Sequence, residues 1–185
     1  MVTYVALIRG INVGGHQQIK MEELREAFRA LQFGDVGTVL ASGNVLFDAP
    51  KTGRPTLAAK VREGLREAFG GEMDVIIRTR REVAELVDSE PFRDVLVGPQ
   101  TRLYVTFLPE EAGSGLTIPY ESPEQDFKIL SVAGGNVCSV LTLSPTRGTT
   151  DLMKFIEREF GRRITTRSWN TVLKTNEKMM ARPST

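Results

Sequence analysis

The stretch VGTVLASGNVLF, residues 36–47, decides how the chain is read. Two short apolar runs, Val36 to Ala41 and Val45 to Phe47, flank Ser42-Gly43-Asn44. These residue types tolerate positive φ and turn a chain back on itself, so the stretch reads as an antiparallel hairpin. Upstream, Met21, Leu24, Ala27, Phe28 and Leu31 recur at helical spacing, with Glu22, Glu23, Arg25, Glu26 and Arg29 on the outer face. That is an amphipathic helix, closed by Gly34. Val2 to Ile8, before it, is a β-rich run ended by Arg9-Gly10. Downstream of the hairpin, Thr56 is placed to cap a second helix with Leu57, Val61, Leu65 and Phe69 on one stripe, and Gly70-Gly71 end it. Asp74 to Arg78 supplies a fourth strand. The order is β-α-β-β-α-β, the ferredoxin-like order.

The second half repeats this pattern with one break. Thr79-Arg80-Arg81-Glu82 is a capping box opening a short helix to about Asp88, and Glu90-Pro91 stops it. Arg102 to Phe107 is a strand. Phe127 to Val132 and Val137 to Leu143 form a hairpin around Ala133-Gly134-Gly135-Asn136. Thr149 or Thr150 caps a helix carrying Leu152, Phe155, Ile156 and Phe160, then come the strand Ile164 to Arg167 and a terminal helix from Ser168 to about Met180. Where the first helix of the repeat belongs, Pro109 to Gln125 is rich in Gly, Pro and Ser, so either a short helix forms near Glu110 or the repeat is degenerate there. The expected fold is therefore α+β: two tandem ferredoxin-like subdomains with antiparallel sheets plus a C-terminal helix. The boundaries fall at 1–79, a connecting helix and linker at 80–100, and 101–185. In Val2 to Ile8 both alternate faces are apolar, which calls for cover on both sides. The other half supplies that cover, or a second copy does, so monomer and homodimer both stay open.

Composition narrows the function classes. Lys plus Arg number 24 against 23 Asp plus Glu, a formal charge of +1, so no global attraction to nucleic acid or membrane is implied. One cysteine, Cys138, and one histidine, His16, build neither a disulfide framework nor a Cys/His metal cluster within one chain. Cys138 reads as a small buried hydrophobe. No cofactor and no metal are called for. The N-terminal apolar stretch falls well below the about 18 residues of a membrane span and lacks a basic flank, so the cytoplasm is the expected location.

Three blocks, RGINVGG in the first loop, SGN in the hairpin and TRSWNTVLK near the end, together resemble the signature of a bacterial family catalogued as a domain of unknown function, number 1697. The resemblance runs from Tyr4 to Lys174 and implies two ferredoxin-like subdomains, with no activity, catalytic residues or cofactor attached. Ser168 stands where that family often has Asn.

The candidate ligand-binding residues follow from these blocks. Arg9, Gly10, Asn12, Gly14, Gly15 and His16 lie between a strand and a helix, where backbone N–H groups hold anions. The loop lacks both the P-loop ending and dinucleotide-site spacing, and a plain tight connection explains its glycines equally. Ser42 and Asn44 join the set. Regular topology is taken to put their turn at the opposite end of the sheet from the first loop, so a shared pocket would require a distorted hairpin. Arg167, Trp169, Asn170 and Lys174 complete it. Over residues 158–185 seven bases oppose two acids, and an aromatic among guanidinium groups suits a nucleobase with its phosphate. The plainer reading has Trp169 anchoring the last helix, with Asn170 or Ser168 as its cap.

The leading expectation is binding of a small phosphate- or carboxylate-bearing ligand, a nucleotide or metabolite, at the first Gly-rich loop. The alternatives are an RNA or single-stranded DNA module using the basic C-terminal segment, and a hydrolase or transferase on a phosphorylated substrate with Arg9 or Arg167 stabilising charge and His16 as base. No catalytic residue is identified.

Overall fold

The computed structural model describes residues 1–11, 19–109, 115–144 and 149–183. The chain divides into two compact units, Met1–Glu85 with Leu173–Thr185, and Leu86–Val172.

The first unit holds β1 (Val2–Ile8), α1 (Met21–Ala30), β2 (Gly34–Val39), β3 (Asn44–Ala49), α2 (Arg54–Phe69), β4 (Val75–Thr79) and the start of α3 (Arg80–Asp88). Its four strands lie in the order β2-β3-β1-β4, all neighbours antiparallel, which is the ferredoxin-like sheet. Alternation sorts the side chains. Tyr4, Ala6, Ile8, Val45, Phe47, Val75 and Ile77 form one core with Leu24 and Phe28 of α1 and with Leu57, Val61 and Leu65 of α2. Phe47 is its hub, with ring centroids 4.4 Å from Phe33, 5.5 Å from Phe28 and 5.6 Å from Tyr4. Burying such a ring contributes about 1.5–3 kcal/mol. The other face is buried as well, through Val5, Leu7, Leu46 and Ile76.

The second unit continues with β5 (Thr101–Phe107), β6 (Tyr120–Glu121), β7 (Phe127–Ala133), β8 (Asn136–Thr142), α4 (Thr149–Phe160), β9 (Thr165–Ser168) and the start of α5 (Trp169–Met180). Its order, β6-β7-β8-β5-β9, is the same four-stranded arrangement with one short strand added at the edge. Leu152, Phe155 and Ile156 of α4 pack on Leu108, Ile129, Val137 and Leu141. The sequence reading does not anticipate β6, and the alternative helix near Glu110 falls on residues 110–114, outside those described.

Three helix ends differ from expectation. Gln32, at φ 63°, makes the left-handed turn after α1, and Gly34 already belongs to β2. Gly53 rather than Thr56 is the N-cap of α2, because Pro55 sits in the first turn, where its missing N–H costs nothing. Thr149 and Thr150 both lie inside α4, and the residues before it, 145–148, lie outside those described. The box at Thr79 forms as read. The Thr79 N–H and hydroxyl each donate to Glu82 Oε2 at 2.8 Å, and the Glu82 N–H donates back to the Thr79 hydroxyl at 3.2 Å.

Cys138 on β8 is buried, and burial pushes its thiol pKa up from the ordinary value. A disulfide-exchange reagent is therefore expected to leave Cys138 unmodified in the native protein and to react fully once guanidinium unfolds it. Prompt stoichiometric labelling of the native chain would contradict this packing.

Candidate functional site

The two ends of the first sheet carry different chemistry. At the end where β1 finishes, the Arg9 N–H donates to the Asp74 carbonyl at 2.9 Å and Gly10 turns the chain at φ 72°. Asn12, Gly14, Gly15 and His16 lie outside the described residues. The hairpin turn is at this same end. The Ile8 N–H donates to the Gly43 carbonyl at 2.9 Å, and Leu7 is in register with Asn44. The expectation that the first loop and Ser42-Gly43-Asn44 lie a strand length apart is wrong. β1 and β2 run parallel with β3 between them, so the β2–β3 turn comes back to the end where β1 stops. Asn44 is buried and its amide Nδ2 serves its own hairpin, donating to the Val39 carbonyl at 3.0 Å and to Ser42 Oγ at 2.8 Å.

In the second unit Arg167 is only 9% exposed and donates to Thr165 Oγ1 at 2.8 Å and the Thr166 carbonyl at 3.0 Å. Burial pushes its guanidinium down to about 10, still charged at neutral pH. Trp169 meets Phe92 edge-on at 5.1 Å, half-buried. Ser168 caps α5, its Oγ accepting the Thr171 N–H at 3.3 Å. Asn170 and Lys174 are exposed. The basic C-terminal run is not one solvated stripe. Arg158 pairs with Glu159 at 2.9 Å, and Arg182, in the first unit, pairs with Asp35 at 3.4 Å and Asp48 at 3.6 Å.

One signal in the sequence escaped the reading. SGNV at 42–45 and GGNV at 134–137 share Gly-Asn-Val, and Arg78-Thr79 and Arg167-Ser168 share an arginine followed by a hydroxyl residue. The strands place them equivalently. Asn44 faces Leu7 and Asn136 faces Phe107, while Arg78 faces Val5 and Arg167 faces Val105. Arg78 is 1% exposed, donates to the Ile77 carbonyl at 3.0 Å, and is pushed down to about 10 by burial and then by the charge of Arg54, against the pull of Glu82.

At the opposite end of the first sheet, where β1 begins, a groove of about 860 Å³ opens. Its cationic side is built by two chain reversals. Lys51 and Arg54 lie where β3 turns into α2, and Arg80 and Arg81 form the first turn of α3. Tyr4 pins the first reversal, its hydroxyl accepting the Thr52 N–H at 3.1 Å and donating to the Thr52 carbonyl at 3.3 Å. Among the described residues Glu82 is the one carboxylate on the lining, and both its oxygens are engaged: Oε1 pairs with Arg54 at 2.8 Å and Oε2 accepts from Thr79. Arg80 donates to the Arg182 carbonyl at 3.0 Å. Lys51 is exposed, and Arg81 is 83% exposed with Glu85 3.5 Å away. The placement of these bases runs against local preference. A helix N-terminus carries partial positive charge and favours acids, yet α2 has no acid in its first turn and begins with Arg54, and α3 begins with two arginines ahead of its first-turn acid, Glu82.

The fold is a tandem ferredoxin-like α+β arrangement. The chain belongs to the family described as "Protein of unknown function (DUF1697)", whose model matches residues 1–138. It is similar in structure to a conserved bacterial protein, SP0830 from Streptococcus pneumoniae, with a TM-score of 0.71 at 20% identity, covering 96% of this chain and 98% of that one. At that identity the likeness is one of fold. No curated protein matches the chain. No helix among the described residues is long and apolar enough to cross a membrane.

The contact between hairpin and first strand is open to a direct test. A Cβ at Gly43, φ 73°, would stand 3.1 Å from the Ile8 carbonyl oxygen and 3.3 Å from Ile11, whereas one at Gly10, φ 72°, meets nothing. Gly43→Ala is expected to cost about 1–3 kcal/mol in denaturant unfolding, and clearly more than Gly10→Ala. Equal losses would mean that the turn does not approach β1.

Proposed function

We propose that this protein binds a small anionic ligand, phosphate- or carboxylate-bearing, in the groove where β1 begins. The ligand class is the one the Gly-rich loop suggests. The described geometry that supports it best lies at the other end of the same sheet. The observation that carries the reading is the gathering of Lys51, Arg54, Arg80 and Arg81 around one concavity whose one carboxylate among the described residues, Glu82, is paired with Arg54 and Thr79. Three of those bases sit at the positive ends of two helices, a placement that weakens a free helix and is relieved when an anion arrives. Such a break with local preference is expected at functional sites. RNA recognition gains less support. Ferredoxin-like RNA binders present aromatic residues on the open sheet face, and here the face of the first sheet away from α1 and α2 is buried, through Val5, Leu7 and Leu46.

Isothermal titration with inorganic phosphate and with acetate tests the proposal. Heat is expected from at least one, falling as sodium chloride is raised because Lys51 and Arg81 are exposed. Arg81→Gln is expected to weaken binding by about tenfold while leaving the melting midpoint in place, since its loss to Glu85, about 0.3–0.5 kcal/mol, is offset by relief at the helix end. Absence of heat from the wild type with both anions, or an Arg81→Gln variant that melts early yet binds unchanged, would reject the proposal.

A further inference from the structure

The same groove also carries apolar surface. Val2 and Ala84 are half-buried on it, Met180 is 50% exposed, and Pro183 is exposed. The Met180 thioether lies beside the arginines, its Sδ accepting from Arg80 Nε at 3.4 Å, and its flexible side chain moulds itself to irregular apolar partners. About 860 Å³ is far more than a bare phosphate or carboxylate fills and is in the range of sites for whole small molecules.

Resting on the reading that this groove holds an anion, we infer that its ligand is amphipathic: a phosphate or carboxylate head on an aliphatic chain, not a nucleotide. The head lies toward Lys51 and Arg81 and the chain along Val2, Ala84 and Met180. Aromatic chemistry decides against a nucleobase. Tyr4 is the one aromatic residue on the lining, and its ring is 1% exposed, stacked on Phe47 at 5.6 Å and an interplanar angle of 22°. Its hydroxyl is committed to Thr52 on both its donor and acceptor sides. A base would find no aromatic ring face to stack on and would forgo the affinity that such stacking gives. Glu82, the one lining carboxylate that could accept from a base amino group, is spent on Arg54 and Thr79. An alkyl chain needs neither a face nor an acceptor. It needs apolar surface.

The test is a titration series of inorganic, butyl, hexyl and octyl phosphate and adenosine monophosphate, below the micellar range, on the full chain. Affinity is expected to rise along the alkyl series, by at most about fourfold per buried methylene, with the nucleotide no tighter than inorganic phosphate. Met180→Gln is expected to flatten the rise, and its melting curve checks that the fold is intact. Val2→Thr, which keeps the side-chain shape, repeats the test without touching the last helix. Inorganic and octyl phosphate binding alike would overturn this inference and leave the anion reading standing. A nucleotide binding more tightly than the alkyl phosphates would overturn it too. No binding by any member, inorganic phosphate included, would remove both. Co-sedimentation with phosphatidylglycerol vesicles without binding of monomeric octyl phosphate would count against a free ligand and overturn the inference as stated.

Discussion

Everything in the first unit is registered on β1, a strand buried on both faces from Tyr4 to Ile8. A half-buried strand can slip by two residues and keep its apolar face inward. One with packing on both sides has fewer alternatives, because each side chain must also fit its own neighbours. The consequences run outward in both directions. Pairing Val5 with Leu46 on one side and with Arg78 on the other puts Asn44 opposite Leu7 and Thr79 opposite Tyr4. Both chemically interesting ends of the sheet are then set by a single strand. Its last residue holds the hairpin turn through Gly43, and Tyr4, near its start, holds the reversal that carries Lys51 and Arg54.

Much of this was legible from residue order. The change from alternate to helical spacing around Lys20, the turn residues at 42–44, and the Thr-x-x-Glu spacing at 79–82 each name a local structure whose physics needs no distant partner. What failed needed more than local physics. Thr56 loses the α2 cap because Pro55 is tolerated in a first turn, so the helix starts upstream. The separation of first loop and hairpin turn failed on topology: in the β-α-β-β-α-β order the helical crossover makes β1 and β2 parallel, so the turn after β2 returns to the end where β1 stops. The bases of the C-terminal run looked alike in sequence. Only their surroundings separate Arg182, spent on Asp35 and Asp48, from the exposed Lys174.

The groove was the least legible feature, since its lining is drawn from residues near 2, 52, 80 and 182. It nevertheless left one trace: Arg54, Arg80 and Arg81 are bases written where helix starts favour acids. Read one at a time, each is a minor fault in a helix. Read together, they gather positive charge at one place, where Glu82 and the Thr79 cap offset part of the repulsion.

The internal repeat separates what the fold requires from what it does not. Both units use a buried arginine on the last strand of the sheet, followed at once by a hydroxyl that caps the next helix, Thr79 in one and Ser168 in the other. The third helical residue closes the cap in each case. Glu82 bonds back to Thr79, and the Thr171 hydroxyl lies 2.9 Å from that of Ser168. Between cap and closure the two units diverge, with Arg80-Arg81 in the first and Trp169-Asn170 in the second. The second unit builds the same strand-to-helix joint with no charge in those two positions and uses Trp169 to pack on Phe92 instead. The joint therefore does not need arginines. Their presence in the first unit, beside the groove, is what the proposed anion would account for.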